Sequence, residues 1–204
     1  MPKNANRLLT TTMKGFALAE APEMAHLEVI QGDITTLNVD VIVNAANSAL
    51  AGGGGVDGAI HAAAGPTVLG ECRVIIDQEG PCATGSAVVT SAGNLPAKLI
   101  IHTVGPIWEQ HGPADSATLL AKCYTSSLDA AADVGATSIA FSAISTGVYG
   151  FPKELAAPIA VSTIATWLEN NLGHTTLQDV ILVCFDDDNF RVIRRAVNDL
   201  RHPN

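Results

Sequence analysis

Four consecutive glycines, Gly52 to Gly55, stand between two asparagines and a carboxylate. Asn44 and Asn47 precede them in "NAAN", and Asp57 follows in "GVDG". Consecutive glycines are entropically expensive to order. Such a run is either a mobile loop tip or a place where backbone approaches a ligand closely. A second glycine-bearing loop, "STGVYGFP", begins at Ser145 and runs into a helix whose first turn suits Pro152. Backbone N–H groups in turns and at helix starts stabilise anions without a cation. Two such loops at one rim could clamp a diphosphate from both sides. Asp57 falls in the first turn of the helix after the glycines. It reads either as a carboxylate interacting with the helix dipole or as a base whose ionised form that dipole favours.

Other chemistry fits these residues less well. Gly53-x-Gly55-x-x-Gly58 formally matches a dinucleotide-binding fingerprint, but a lone match is weak. About eight residues separate it from a strand ending near Asn44, whereas the Rossmann turn leaves its strand directly. Asp57 would also lie inside the phosphate turn and repel a pyrophosphate. There is no GxxxxGK[ST] and no G-x-S-x-G, so neither a P-loop nor a serine nucleophile elbow is available.

The elements that must position these residues alternate. "HLEVIQ", "VDVIVNA", "GSAVVTSAG", "KLIIHTVG", "TSIAFSAIS" and "DVILVCF" read as strands. "GSAVVTSAG" and "KLIIHTVG" are joined by only a short Asn-Leu-Pro connection and should be neighbours. Helices are expected over Asp57 to Ile76, Asp115 to Val134, Pro152 to Asn171 and Asp188 to Leu200. Strands apolar on both faces and separated by helices imply a sheet covered on both sides. The expected fold is α/β, a three-layer α/β/α sandwich with a mixed, mostly parallel central sheet. In such sheets ligands bind beyond the carboxyl ends of strands. "NAAN" with the glycines, "STGVYGFP" and "FDDDNF" all follow strands.

Composition narrows the classes. The chain has 204 residues, 48% hydrophobic and 15% charged, a globular profile with room for a substantial core. Residues 1–25 are weakly patterned and read as an N-terminal extension, with the domain over 26–204. No apolar run reaches the roughly 18 residues of a membrane span. The opening "MPKNANRLLTTTMKGF" lacks an apolar signal-peptide core, so a cytoplasmic location is expected. The net charge of −9 argues against a general nucleic-acid binder. It leaves an anionic small ligand open. Cys72, Cys82, Cys123 and Cys184 are scattered without CxxC or zinc-finger spacing, so buried thiols are expected and no metal. His61 and His102 read as satisfied structural histidines, and Phe185 by itself reads as core.

The stretch "GDITTLNVDVIVNAANSALAGGGGVDGAIHAAAG", Gly32 to Gly65, resembles the macrodomain family, and its MacroD type in particular. "CATGSAVVTSAGNLPAKLIIHTVGP" and "STGVYGFP" continue the likeness in order, over about residues 26–200. The resemblance implies an ADP-ribose site at the strand ends. Asp33, with Ile34 beside it, would receive the adenine amino group, and Phe185 would pack on adenine. Gly54, Gly55 and Val56 would face Ser145, Thr146, Gly147, Val148 and Tyr149 across the diphosphate. Asn47 and Asp57 match the distal-ribose and catalytic positions, Tyr149 and Phe151 would shape the distal pocket, and Asn44 would hold the loop. The implied activity is hydrolysis of acyl groups from ADP-ribose, on O-acetyl-ADP-ribose and on mono-ADP-ribosylated protein Asp or Glu esters. No cofactor and no metal is called for. A monomer is expected, with no membrane and with nucleic acid only as an ADP-ribosylated end. The alternatives are a non-catalytic ADP-ribose reader and an ADP-ribose-1″-phosphate phosphatase.

Overall fold

The computed structural model describes residues 25–202. Most of the N-terminal extension therefore lies outside the described residues. Among the described residues six strands form one sheet: β1 (His26–Gln31), β2 (Val41–Ala46), β3 (Ala87–Ser91), β4 (Leu99–Val104), β5 (Ser138–Phe141) and β6 (Asp179–Cys184). Their order across the sheet is β1-β6-β5-β2-β4-β3. Every neighbouring pair is parallel except β3 and β4, which pair antiparallel. The tight connection between those two strands permits nothing else, because parallel neighbours need a long crossover.

The helices are α1 (Gly55–Ala64), α2 (Pro66–Glu79), α3 (Trp108–Asp133), α4 (Lys153–Asn170) and α5 (Asp187–Arg201). Two expectations change here. The single helix foreseen over Asp57 to Ile76 is two helices. Gly65, at φ 81°, ends the first and Pro66 starts the second. This is the usual glycine-stop, proline-start punctuation. The helix expected from Asp115 starts earlier, at Trp108, with a non-helical Gly112 (φ 71°) before Pro113. Pro113 cannot continue the backbone hydrogen bonding of the preceding turn.

Alternation along the strands divides the core. Val41 and Val43 of β2, Ile101 of β4, and Ile139 and Phe141 of β5 face α3, α4 and α5. Ile42, Ile100, Val104 and Ala140 face α1 and α2. Side chains two apart share a face. Asn44, two on from Ile42, and His102, two on from Ile100, therefore lie on the α1/α2 side, and both are fully buried. At the opposite end of the strands Asp40 accepts from the Thr137 backbone at 2.7 Å and pairs with Lys98. Lys98 and Thr137 hold its carboxyl far below the usual range. Among the described residues no helix is long and apolar enough to cross a membrane.

Candidate functional site

Because β1, β2, β5 and β6 are parallel, the segments leaving their carboxyl ends gather at one rim. Two adjoining cavities open there. One, of about 470 Å³, is lined by Asp33, Ile34, Thr146, Val183, Phe185 and Asn189 among others. The other, of about 250 Å³, is lined by Asn47, Gly53, Gly54, Asp57, Ser145, Val148 and Tyr149. Gly55, Val56, Ala143 and Gly147 wall both, so the glycine loop and the second loop form the waist of one elongated cleft. A larger surface groove, about 590 Å³, lies between α4 and α5. None of the rim loops reaches it.

The waist is built from backbone. Gly52 (φ 76°) and Gly55 (φ 60°) adopt left-handed conformations that side chains resist. A Cβ at Gly58 would collide with the Gly53 carbonyl, so the loop lies directly against α1. Helices leave their first N–H groups without helical acceptors. Among the described residues the N–H groups of Gly55 and Val56 at the start of α1 have no acceptor, and neither do those of Thr146, Gly147 and Val148. Ser145 is left-handed too, at φ 64°, which is uncommon for a residue with a side chain. Its carbonyl accepts from Phe151 N–H at 3.0 Å, and Gly147 accepts from Gly150 at 3.0 Å, closing the loop. Lys153, which lines the wider cavity, is held by Asp186 at 3.4 Å and Asp188 at 3.0 Å.

At the wider end, Asp33 caps a 3-10 turn, Ile34–Thr36. Its Oδ1 accepts from Thr35 N–H at 2.9 Å and Thr35 Oγ1 at 2.7 Å. Phe185 directly follows β6 with 81% of its surface exposed. The expectation that it belongs to the core is thus overturned. The strand alternation that buries Cys184 turns Phe185 out over the cavity.

At the narrower end, Asp57 is 5% exposed. Its Oδ1 accepts from Asn44 Nδ2 at 2.7 Å, and its Oδ2 lies 3.5 Å from Asn47 Nδ2. Asn47 Nδ2 also donates to the Gly52 carbonyl at 2.8 Å, and its Oδ1 accepts from Ala51 N–H at 3.3 Å. Two assignments change. Asn47 holds the glycine loop, which had been expected of Asn44, and Asn44 holds the carboxylate. His61, one helical turn after Asp57, is not a satisfied histidine. Its Nε2 stands 3.4 Å from Asp57 Oδ1, and neither ring nitrogen has a hydrogen-bond partner among the described residues. Burial, and then the Asp57 charge, raise the Tyr149 hydroxyl above its ordinary range, which keeps it neutral.

Phe151 is the one expected site residue that the structure withdraws from the cleft. It is 2% exposed and packs on Trp108, ring centroids 4.7 Å apart, supporting the second loop from beneath. Beyond "FDDDNF" following a strand, nothing announced Lys153, Asp186 and Asn189 in the wider cavity. All four cysteines are buried and unpaired. Cys72 stands with His61 and His102 so that their ligand atoms lie within 4.8 Å of one another, a grouping no sequence spacing announced. Burial pushes the Cys72 thiol up to about 11, and both His102 nitrogens are within bonding range of other partners.

The family model of the Macro domain matches residues 43–160, the stretch that holds both loops. The chain belongs to the Macro domain family. This macrodomain is 53% identical over 172 residues to a macro domain-containing protein of Listeria monocytogenes, covering 84% of this chain and 97% of the relative. It is 55% identical to the O-acetyl-ADP-ribose deacetylase of Klebsiella pneumoniae, over 83% of this chain and 95% of that one. Its structure is similar to that of an Oceanobacillus iheyensis macrodomain, a glycine-to-valine mutant with ADP-ribose. The TM-score is 0.83 at 41% identity, covering 88% of this chain and 96% of the other. An asparagine-to-alanine and an aspartate-to-alanine mutant of the same Oceanobacillus macrodomain match as well, with TM-scores of 0.82 and 0.83 at 41% identity. They cover 87% and 90% of this chain, and 90% and 96% of their own.

Proposed function

We propose that this macrodomain binds ADP-ribose along the cleft and hydrolyses acyl esters of its distal ribose. O-acetyl-ADP-ribose and mono-ADP-ribosylated Asp or Glu side chains are its substrate class. The observation that carries the reading is the waist. Unpaired N–H groups of two loops meet across a channel that has an aromatic and a carboxylate at one end and a buried carboxylate at the other. A diphosphate supplies the acceptors that the waist lacks. Adenine fits the wider end, stacked on Phe185 with its amino group on Asp33. The distal ribose then falls beside Asn47 and Asp57.

In this arrangement Asp57 takes a proton from water as the water attacks the ester carbonyl. The tetrahedral adduct collapses, Asp57 returns the proton to the leaving ribose oxygen, and a carboxylic acid is released. Asn47 holds the ribose that carries the ester. Asn44 fixes the carboxylate through Oδ1, leaving Oδ2 toward Asn47 and the cavity. The substituted positions of the Oceanobacillus mutants fall on the same spacing as three residues of this cleft. They are an asparagine, a glycine seven residues later and an aspartate ten residues later, the spacing of Asn47, Gly54 and Asp57.

The test is incubation with O-acetyl-ADP-ribose and with a Glu-ADP-ribosylated protein, following release of ADP-ribose. Release from both is expected. Calorimetric binding of ADP-ribose with no release from either would make the domain a reader.

A further inference from the structure

Behind Asp57 a line of polar side chains runs through the apolar layer under α1 and α2. Asn44 and His102 are directly opposite one another on the parallel strands β2 and β4. Thr90 on β3 pairs with Ile100, so it sits diagonally beside His102 on the same face. Asn44 and His102 are fully buried and Thr90 is 4% exposed, so none of the three is open to solvent. Asn44 Nδ2 lies 2.7 Å from Asp57 Oδ1 and 3.1 Å from His102 Nδ1. His102 Nε2 lies 2.9 Å from Thr90 Oγ1, and Thr90 donates its hydroxyl proton to the Ser91 carbonyl at 2.9 Å.

With the Asn44 amide nitrogen turned to both Asp57 and His102 the protons along this line are fixed, and Asn44 Oδ1 is left buried without a partner among the described residues. An amide nitrogen has two protons and no acceptor capacity. Asn44 therefore donates one to Asp57 and one to His102, whose Nδ1 must be the bare nitrogen. The His102 proton is then on Nε2 and is received by Thr90, whose own proton is committed to Ser91. Burial, with a smaller contribution from the His61 charge, pulls His102 down to about 3 and keeps the ring neutral.

We propose that His102 and Thr90 form a buried anchor that sets the orientation of the Asn44 amide and, through it, the position of the Asp57 carboxylate. They are positioning residues for the hydrolysis, and the inference rests on the reading of Asp57 as its base. The consequence of losing the anchor is specific. Without the Thr90 hydroxyl, only the Cys72 sulfur, a weak acceptor 3.9 Å away, still faces Nε2; the His102 proton moves to Nδ1, where it confronts the Asn44 N–H. Relief comes from an amide flip that turns Asn44 Oδ1 toward the carboxylate. Two oxygens then repel each other where a 2.7 Å hydrogen bond had been. Asp57 shifts although nothing in the cleft has been changed.

The experiment compares Thr90→Val, which keeps the shape, with Thr90→Ser, which keeps the hydroxyl. The readouts are kcat and KM for O-acetyl-ADP-ribose, Kd for ADP-ribose and the melting temperature. Thr90→Val is expected to lower kcat by about 10- to 100-fold, the scale of misplacing a reacting group. KM and Kd should stay unchanged, because the N–H waist, Asp33 and Phe185 are untouched. Thr90→Ser should restore kcat. A folded Thr90→Val with wild-type kcat overturns the proposal, and so does a loss of ADP-ribose affinity parallel to the loss of kcat. Where Thr90→Val does not fold, His102→Asn and His102→Leu put the same question. Asparagine keeps an acceptor near the Nδ1 position and should keep turnover above that of leucine; equal kcat in the two overturns the anchor. Asp57→Ala belongs in the same series. If it turns over like wild type, the base reading fails. If it is inactive while Thr90→Val is normal, only the anchor fails.

Discussion

Asp57 stands beside the cleft without supplying any of the N–H groups of the waist, and its substitution separates turnover from binding. Asp57→Ala removes the carboxylate but leaves the N–H groups of both loops, so ADP-ribose binding should survive or tighten. Turnover should fall about 10²- to 10⁴-fold, as for loss of a general base. Single-turnover hydrolysis at saturating enzyme measures this, with a melt to show the variant is folded; wild-type turnover would reject the catalytic role. Asn47→Ala should weaken both binding and turnover, because Asn47 also donates to the Gly52 carbonyl. At the other end, Phe185 is 81% exposed and contributes little to the core. Phe185→Ala should leave the melt unchanged and cost about 1–3 kcal/mol of ADP-ribose affinity, the worth of one stacked base. Unchanged affinity in calorimetry would place adenine elsewhere.

Among the elements, the glycine loop and the start of α1 act as one piece. Gly58 is the contact between them, since a side chain there meets the Gly53 carbonyl. Gly54 differs, with φ −100° and open space around its Cβ position. Gly58→Ala should therefore destabilise the fold by roughly 1–3 kcal/mol, as overpacking does, and also weaken binding. Gly54→Ala should fold with an unchanged melting temperature and lose affinity alone, because its added methyl enters the waist. Equal thermal shifts for the two would contradict the packing. The α1–α2 break is a further case at this scale. Gly65 and Pro66 were visible, yet continuous apolar periodicity on either side of them concealed that the helix stops and restarts.

For the molecule as a whole, charge and burial set the response to solution conditions. The chain carries a net charge of −9, and its waist relies on backbone dipoles instead of cations. A dianionic ligand is repelled at long range, and salt screens that repulsion. Raising salt should hold or strengthen ADP-ribose affinity, whereas a site built on Lys or Arg would weaken. Calorimetry across a salt series distinguishes the two. His102 gives a pH signature. Its folded-state value, about 3, lies below the ordinary 6.5, so the unfolded chain binds the proton more readily between those limits. The contribution is complete above pH 6.5 and is lost as pH falls, by roughly 1.4 kcal/mol per unit. Denaturant titrations at pH 7.5 and 5.5 should show wild type losing about that much more than His102→Asn over the last unit. Parallel losses would show that His102 does not remain neutral when folded.

What the sequence determined by itself follows from local chemistry. Strand and helix periodicity yielded the layered sheet. The glycine runs, the carboxylate after them and the strand-end positions of "STGVYGFP" and "FDDDNF" marked the rim. These features are legible because they depend on neighbours within a few residues. The tertiary structure alone decided the facing of side chains. Alternation exposed Phe185 and buried Cys184, the packing of Trp108 drew Phe151 under its loop, and strand pairing set Asn44 opposite His102 and beside Asp57. The exchange of tasks between Asn44 and Asn47 has the same origin. Three residues apart around a strand end, they point to different sides, and only the pairing of β2 with β4 and the covering by α1 determine which one meets the carboxylate from the core.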